Sequence, residues 1–247
     1  MRLSIDELHV SYGKVRAVQG VSLGVDTGRL VTVIGTNGAG KSSMLHAVSG
    51  MVRPTSGKVT LDGDDITGKP YHKLVPRGLV LVPEGRQLVA GLSVEDTLML
   101  GAAAARMTNA EAHRQMDDVL SRFPILAERL KERAGLLSGG QAQMLALARG
   151  LMSAPRLLLL DEPSLGLAPR AVRDLFAMVS ELARQGLTIL MVEQNVRQAL
   201  AIAEYGYVMD SGRIILEGQA GELATNDMLV ASYLGVARDD KTGEETA

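Results

Sequence analysis

A chain of 247 residues with 46% hydrophobic and 22% charged residues has the make-up of an ordinary globular protein, long enough for one large α/β domain or a core with an inserted subdomain. Its formal net charge of −2 argues against nucleic-acid binding through bulk electrostatics, and the absence of cysteine excludes disulfides, thiol catalysis and zinc–thiolate sites while fitting a reducing compartment. No apolar run approaches the roughly 18 residues that a membrane span needs, so the expected location is the cytoplasm, with any membrane work done through a partner.

In chain order, residues 1–10 alternate like a strand and lack the apolar block of a signal peptide. Strand-like stretches follow at 18–25 and 29–34, the latter a short β-branched run. Directly after it stands Gly35-Thr36-Asn37-Gly38-Ala39-Gly40-Lys41-Ser42-Ser43, and residues 42–49 then carry apolar side chains at helical spacing. The segment 58–65, with its Asp62-Gly63 turn, reads as an antiparallel pair, and 79–83 as a further strand. A mostly helical block is expected from 93 to 153; it contains four alanines at 102–105 and ends in a strongly helical stretch at 142–152. Apolar strands are expected again at 157–160 and 187–192, alternating with helices at 170–185 and 194–203, as parallel crossover units do. Strands at 205–209 and 213–216 follow, and the polar residues 238–247 read as a disordered tail.

Three segments carry chemistry. The first is residues 35–43, which fit the phosphate-loop frame G-x-x-x-x-G-K-[ST] in its required strand–loop–helix context. Gly35, Gly38 and Gly40 permit backbone conformations closed to other residues, letting loop N–H groups, including those of Thr36, Asn37 and Ala39, converge on phosphates at the positive end of a helix. Lys41 supplies a point charge for the β- and γ-phosphates, the Ser42 hydroxyl suits Mg²⁺, and Ser43 is a further phosphate contact. The second segment is Leu157-Leu-Leu-Leu-Asp161-Glu162-Pro163. Four leucines bury a strand and present two carboxylates at its C-terminal end, where open α/β sheets bind ligands. Asp161 can hold Mg²⁺ directly or through water, and Glu162 can act as general base on the attacking water. Taken alone, the same pair also reads as a helix N-terminus.

The third segment, Leu137-Ser138-Gly139-Gly140-Gln141, opens a helix with an N-capping serine and two glycines, a second anion site. One nucleotide needs two such sites only if they close around it. The simplest arrangement is two subunits head to tail, each offering Ser138, Gly139, Gly140 and Gln141 in trans to the phosphate held by the other.

The ordered set GTNGAGKSS, LSGGQ and LLLLDEP resembles the ATPase subunits of ABC transporters over residues 1 to about 235. The resemblance implies a P-loop NTPase of α/β class: a RecA-like core (1–84 and 155–235), an antiparallel β-subdomain, an inserted α-helical subdomain (about 85–154) and a flexible tail (236–247). It implies ATP and Mg²⁺ as ligands, two transmembrane permease subunits as partners, a second ATPase subunit, and a peripheral position on the inner face of the cell membrane. Tyr12 matches the aromatic that stacks on adenine, and 164–168 match the loop that crosses the dimer interface. A groove between the helical block and the core would receive a short permease helix, with 88–92 in its lining.

Two positions depart from the family. Glu84, in Val82-Pro83-Glu84-Gly85-Arg86, replaces a glutamine that senses γ-phosphate; being acceptor-only, it would bind the cation rather than the phosphate. Gln194, in Met191-Val192-Glu193-Gln194-Asn195, replaces a histidine on the γ-phosphate, and can donate a hydrogen bond without becoming cationic. These departures, with Ser164-Leu-Gly-Leu-Ala168-Pro169, resemble the branched-chain amino-acid uptake branch, which pairs two different ATPase chains and works with a substrate-binding protein outside the membrane. The heterodimer is therefore expected and a homodimer stays open. The segment 87–90 lacks the aromatic expected in that branch, and relatives carry urea or short amides. A non-transport ATPase of the same fold and a non-hydrolysing regulator are the other readings. The intact Glu162 stands against the regulator, and the lack of a coiled-coil insertion or a twin cassette stands against the non-transport ATPase.

Overall fold

The computed structural model describes residues 1–226; the tail expected at 236–247 lies outside the described residues. The chain opens with an antiparallel hairpin of β1 (Leu3–Tyr12) and β2 (Val15–Val25), then runs through β3 (Leu30–Ile34) into α1 (Lys41–Val48). The pair β4 (Ser56–Leu61) and β5 (Asp64–Asp65), the short α2 (Tyr71–Leu74) and β6 (Leu79–Val82) follow. Four helices come next: α3 (Val94–Ala104), α4 (Asn109–Arg122), α5 (Pro124–Ala127) and α6 (Gly139–Leu151). The remainder alternates: β7 (Leu157–Asp161), α7 (Pro169–Arg184), β8 (Thr188–Glu193), α8 (Val196–Ile202), β9 (Tyr205–Asp210), β10 (Arg213–Gln219) and α9 (Ala220–Ala224).

The strands form two sheets. One is antiparallel in the order β2-β1-β4-β5; the other runs β10-β9-β3-β8-β7-β6, parallel throughout except for β10, which pairs antiparallel with β9 at the edge. Strands β3, β7 and β8 are buried along their whole length, as their uninterrupted apolar sequences predict. Successive side chains of these strands enter opposite cores. Ile34, Leu158, Leu160, Ile189 and Met191 pack with the helical layer, whereas Val33, Leu157, Leu159, Leu190 and Val192 pack with α1 and the antiparallel sheet. Period-two geometry thus makes one sheet the floor of two cores. On α7, Val172, Leu175, Phe176, Val179 and Leu182 form the buried stripe, the i, i+3, i+4 pattern expected of a crossover helix.

The helical block has more breaks than its composition suggests. Ser93 caps α3 by accepting from the Asp96 N–H, and Thr108 with Glu111 forms a capping box on α4. Pro124 starts α5, and residues 128–138 run irregularly apart from a 3₁₀ turn at Ala134–Leu136. These caps are local side-chain bonds that restart a helix after each turn. Among the described residues no helix is long and apolar enough to cross a membrane.

Candidate functional site

Strand β8 lies between β3 and β7, so the C-terminal ends of β3 and β7 are separated by two strand spacings, about 10 Å. The phosphate loop leaves β3 and the carboxylate pair ends β7. The first turn of α1 spans that gap.

The loop's path is set by close backbone approach. A Cβ on Gly40, at φ +103°, would lie 2.2 Å from the Ala17 carbonyl oxygen, and one on Gly35 would lie 2.1 Å from that of Met209. Glycine is therefore required at 40 for both conformation and space. Gly38 (φ +82°) has nothing within 4 Å of an added Cβ. Gly40→Ala is accordingly expected to lower the melting temperature and weaken nucleotide binding at least about tenfold, while Gly38→Ala, strained but unobstructed, does markedly less. Unfolding calorimetry and a fluorescent-nucleotide titration read both effects, and equal behaviour of the two variants would contradict the steric argument.

Gly40 is the N-cap of α1 and no side chain caps that helix. Its first N–H groups therefore face a cleft of ≈ 580 Å³ lined by Asn37, Gly38, Gly40, Lys41, Ser42 and Ser43 on one side, and by Val15, Arg16, Glu84 and Glu162 on others. Lys41 is 3% exposed. Its ammonium donates to the carbonyls of Gly35 (2.9 Å) and Thr36 (3.0 Å) and pairs with Glu162 Oε1 at 3.0 Å. The Ser42 hydroxyl donates to Asp161 Oδ1 at 2.8 Å. Asp161 Oδ2 is buried with no hydrogen-bond partner among the described residues, and His46 Nε2 stands 3.5 Å away. Burial pushes the Asp161 carboxyl above the usual range; the Ser42 hydrogen bond and His46 pull it down, and Glu162 and Glu84 push it further up.

Glu162 is no helix start. Asp161 ends β7, Glu162 sits at φ +43°, and α7 begins only at Pro169. The left-handed backbone at Glu162 is held by its N–H bonding the Val192 carbonyl at 3.0 Å. Next to it, Glu193 is 1% exposed. Its carboxyl is pushed up by burial, against which hydrogen bonds from Ser164 and Asn195 work, while Glu162 adds to the rise.

Of the residues expected at the site, 35–43, Asp161, Glu162 and Glu84 come together. Tyr12 does not join the lining. It is 47% exposed at the end of β1, paired across the hairpin with Val15, which does line the cleft. Gln194 is exposed just beyond β8 and is also outside the lining. Ser138, Gly139, Gly140 and Gln141 start α6 away from this cleft. Ser138 and Gln141 form a reciprocal capping box, with the Ser138 N–H donating to Gln141 Oε1 at 3.0 Å. The groove between helices and core, ≈ 230 Å³, is lined by Met51, Tyr71, Gln87, Leu100, Ala104 and Arg149 rather than by 88–92. Of residues 87–92 only Gln87 reaches this groove, and Leu88 packs against the core of the helical layer instead. Sequence reading missed His46 and Glu193. His46 was legible as i+4 from Ser42 on one helix face; Glu193 lies just past the expected strand 187–192, whereas the observed strand includes it.

The profile of the ABC transporter family matches residues 18–165. The chain is 43% identical to the high-affinity branched-chain amino acid transport ATP-binding protein BraG of Pseudomonas aeruginosa, over 94% of this chain and 99% of that protein. It is 32% identical to the lipopolysaccharide export system ATP-binding protein LptB of Haemophilus influenzae, over 94% and 97%. Among solved structures it is similar to the ADP conformation of MJ1267, an ATP-binding cassette of an ABC transporter, with a TM-score of 0.85 and 28% identity, covering 95% of this chain and 99% of that one. A phosphate loop joined through Ser42 to the carboxylate at the end of β7, with the family profile matching more than half of the chain and a 43% identical relative along 94% of it, makes this chain a member of the ABC transporter ATP-binding family, an ATPase coupled to transport.

Proposed function

We propose that this chain powers uptake of branched-chain amino acids through a separate permease. The observation that carries the site is the set Ser42, Asp161, Glu162 and Lys41, in which Ser42 bonds Asp161 and Lys41 pairs with Glu162, the two carboxylates being adjacent in the chain. The similarity to BraG supports the substrate class, together with Glu84 and Gln194 at the two departing positions. Lys41 and the uncapped N–H groups of α1 bind and orient the β- and γ-phosphates. Glu162 takes the proton of the attacking water, and Gln194 donates a hydrogen bond to the γ-phosphate from the end of β8. Tyr12 would stack on adenine from the hairpin tip beside Val15.

Mg²⁺ fits the residues present. Ser42 Oγ and Asp161 offer hard oxygen donors, Oδ2 lacks a hydrogen-bond partner among the described residues, and Glu84 lies across the same cleft. Mg²⁺ typically takes one or two protein ligands beside phosphates and water, which Ser42 and Asp161 would supply. When bound it would neutralise charge on the transferring phosphoryl group.

In this reading residues 85–154 form a helical subdomain inserted in the core. A second ATPase chain, most simply a different one, supplies its own signature segment to this cleft, while Ser138–Gln141 here serve the partner's nucleotide. The groove at Met51, Tyr71 and Leu100 receives a permease helix, holding the chain at the inner membrane face. The test is reconstitution with the neighbouring permease and ATPase chains in liposomes. ATP turnover should rise severalfold with leucine, isoleucine or valine and their binding protein, and stay at baseline with urea or short amides. Stimulation by a lipid substrate instead would favour an export role of the kind named for LptB.

A further inference from the structure

We propose that Glu193 is a positioning residue that ties the segment following Glu162 to Gln194, so that the two move as one unit. The inference rests on the roles proposed above for Glu162 and Gln194. Glu193 is the last residue of β8, the strand between β3 and β7, and so stands at the sheet edge between the phosphate loop and the carboxylate pair. It is acidic and almost fully buried, and three backbone N–H groups donate to it, with the Ser164 side chain adding a further hydrogen bond. Oε1 accepts from Ser164 at 2.9 Å; Oε2 accepts from Gln194 at 3.1 Å and from Asn195 at 3.2 Å.

Those donors belong to different loops. Ser164 opens the segment matched to the dimer-crossing loop, and Gln194 with Asn195 leads into α8. The carboxylate is thus a two-headed acceptor with one oxygen for each loop. The chemistry requires an acceptor-only head. A glutamine would turn an NH₂ toward at least one backbone N–H, and a serine or threonine hydroxyl would reach one loop but not both. The same device bears on Glu162. Its left-handed backbone is fixed at one end by its own N–H on the Val192 carbonyl, and two residues later by Ser164 on Glu193. Movement of the interface loop therefore pulls on the residue that leads to Gln194, through hydrogen bonds to one carboxylate that is itself 1% exposed.

The experiment compares the full-length chain with Glu193→Gln in whichever assembly gives measurable wild-type turnover. The expected result is a fall in kcat of at least about tenfold, with KM and nucleotide affinity within about twofold of wild type, because the phosphate loop is untouched. The loss should also be non-additive with Gln194→Ala: the double variant should be no slower than the worse single one within about twofold. A second measurement needs no variant. Amide hydrogen exchange in the wild-type chain should show the N–H groups of Ser164 and Asn195 protected alike, and changing together when ATP is added.

Unchanged kcat in Glu193→Gln would overturn the proposal. So would a parallel loss of nucleotide affinity and turnover, which marks a general structural role, or strict additivity with Gln194→Ala, or independent exchange of the two amides. Failure of the underlying assignment has a different signature: Glu162→Gln in the same preparation would then hydrolyse at the wild-type rate, whatever Glu193→Gln does.

Discussion

Glu162→Gln is expected to reduce ATP turnover by roughly 10²- to 10⁴-fold, the range that a positioned general base contributes, while leaving ATP bound. The change is isosteric, so the Val192 anchor on the Glu162 N–H and the path of the following loop should persist. What is lost is an oxygen able to take a proton. A further consequence follows from the ion pair. Lys41 divides its donors among Gly35, Thr36 and Glu162. Phosphates must therefore compete with a carboxylate held at 3.0 Å from an ammonium whose side chain is 3% exposed. Glutamine competes far less well for an ammonium than an anion does. ATP affinity should thus rise even as hydrolysis falls, and size-exclusion chromatography with ATP should show an accumulated dimer. Turnover near the wild-type rate, or weaker ATP binding with no dimer, would count against both the base assignment and the competition at Lys41.

The loop and the carboxylates were legible in the sequence because each is a local solution to a local problem. A phosphate loop is defined by glycines at set offsets, and four leucines before Asp161 can only be a strand buried on both faces. The alternating second half announced parallel crossovers for the same reason, and the Asp62-Gly63 turn announced its hairpin. The misses come from relations that no short window contains. Gly35 and Gly40 are constrained by carbonyls of Met209 and Ala17, the first far along the chain. Glu193 is surrounded by donors from 164 and 194–195, which meet only because β7 and β8 are neighbours. The breaks in the helical block follow from caps at Ser93, Thr108 and Ser138, which composition averages away. Gln194 and Tyr12 were found by resemblance and lie outside the lining of the cleft.

Lys41→Ala should abolish measurable ATP binding and also destabilise the fold, and the two losses separate in a double variant. The ammonium is 3% exposed and the carboxylate of Glu162 7%. Removing only the cation leaves the largely buried Glu162 carboxylate without its partner, and it strips the Gly35 and Thr36 carbonyls of their donor. Breaking a buried pair from one side costs about 3–5 kcal/mol, whereas replacing both partners is often nearly neutral. Lys41→Ala with Glu162→Gln should therefore recover much of the stability lost in Lys41→Ala, seen as a denaturation midpoint moving back toward wild type. Nucleotide binding should stay absent, because no point charge faces the β- and γ-phosphates. If the double variant unfolds as readily as Lys41→Ala, the instability comes from the loop carbonyls rather than from the stranded carboxylate. If Lys41→Ala alone still binds ATP tightly, the N–H groups of α1 and not the ammonium carry the phosphate site.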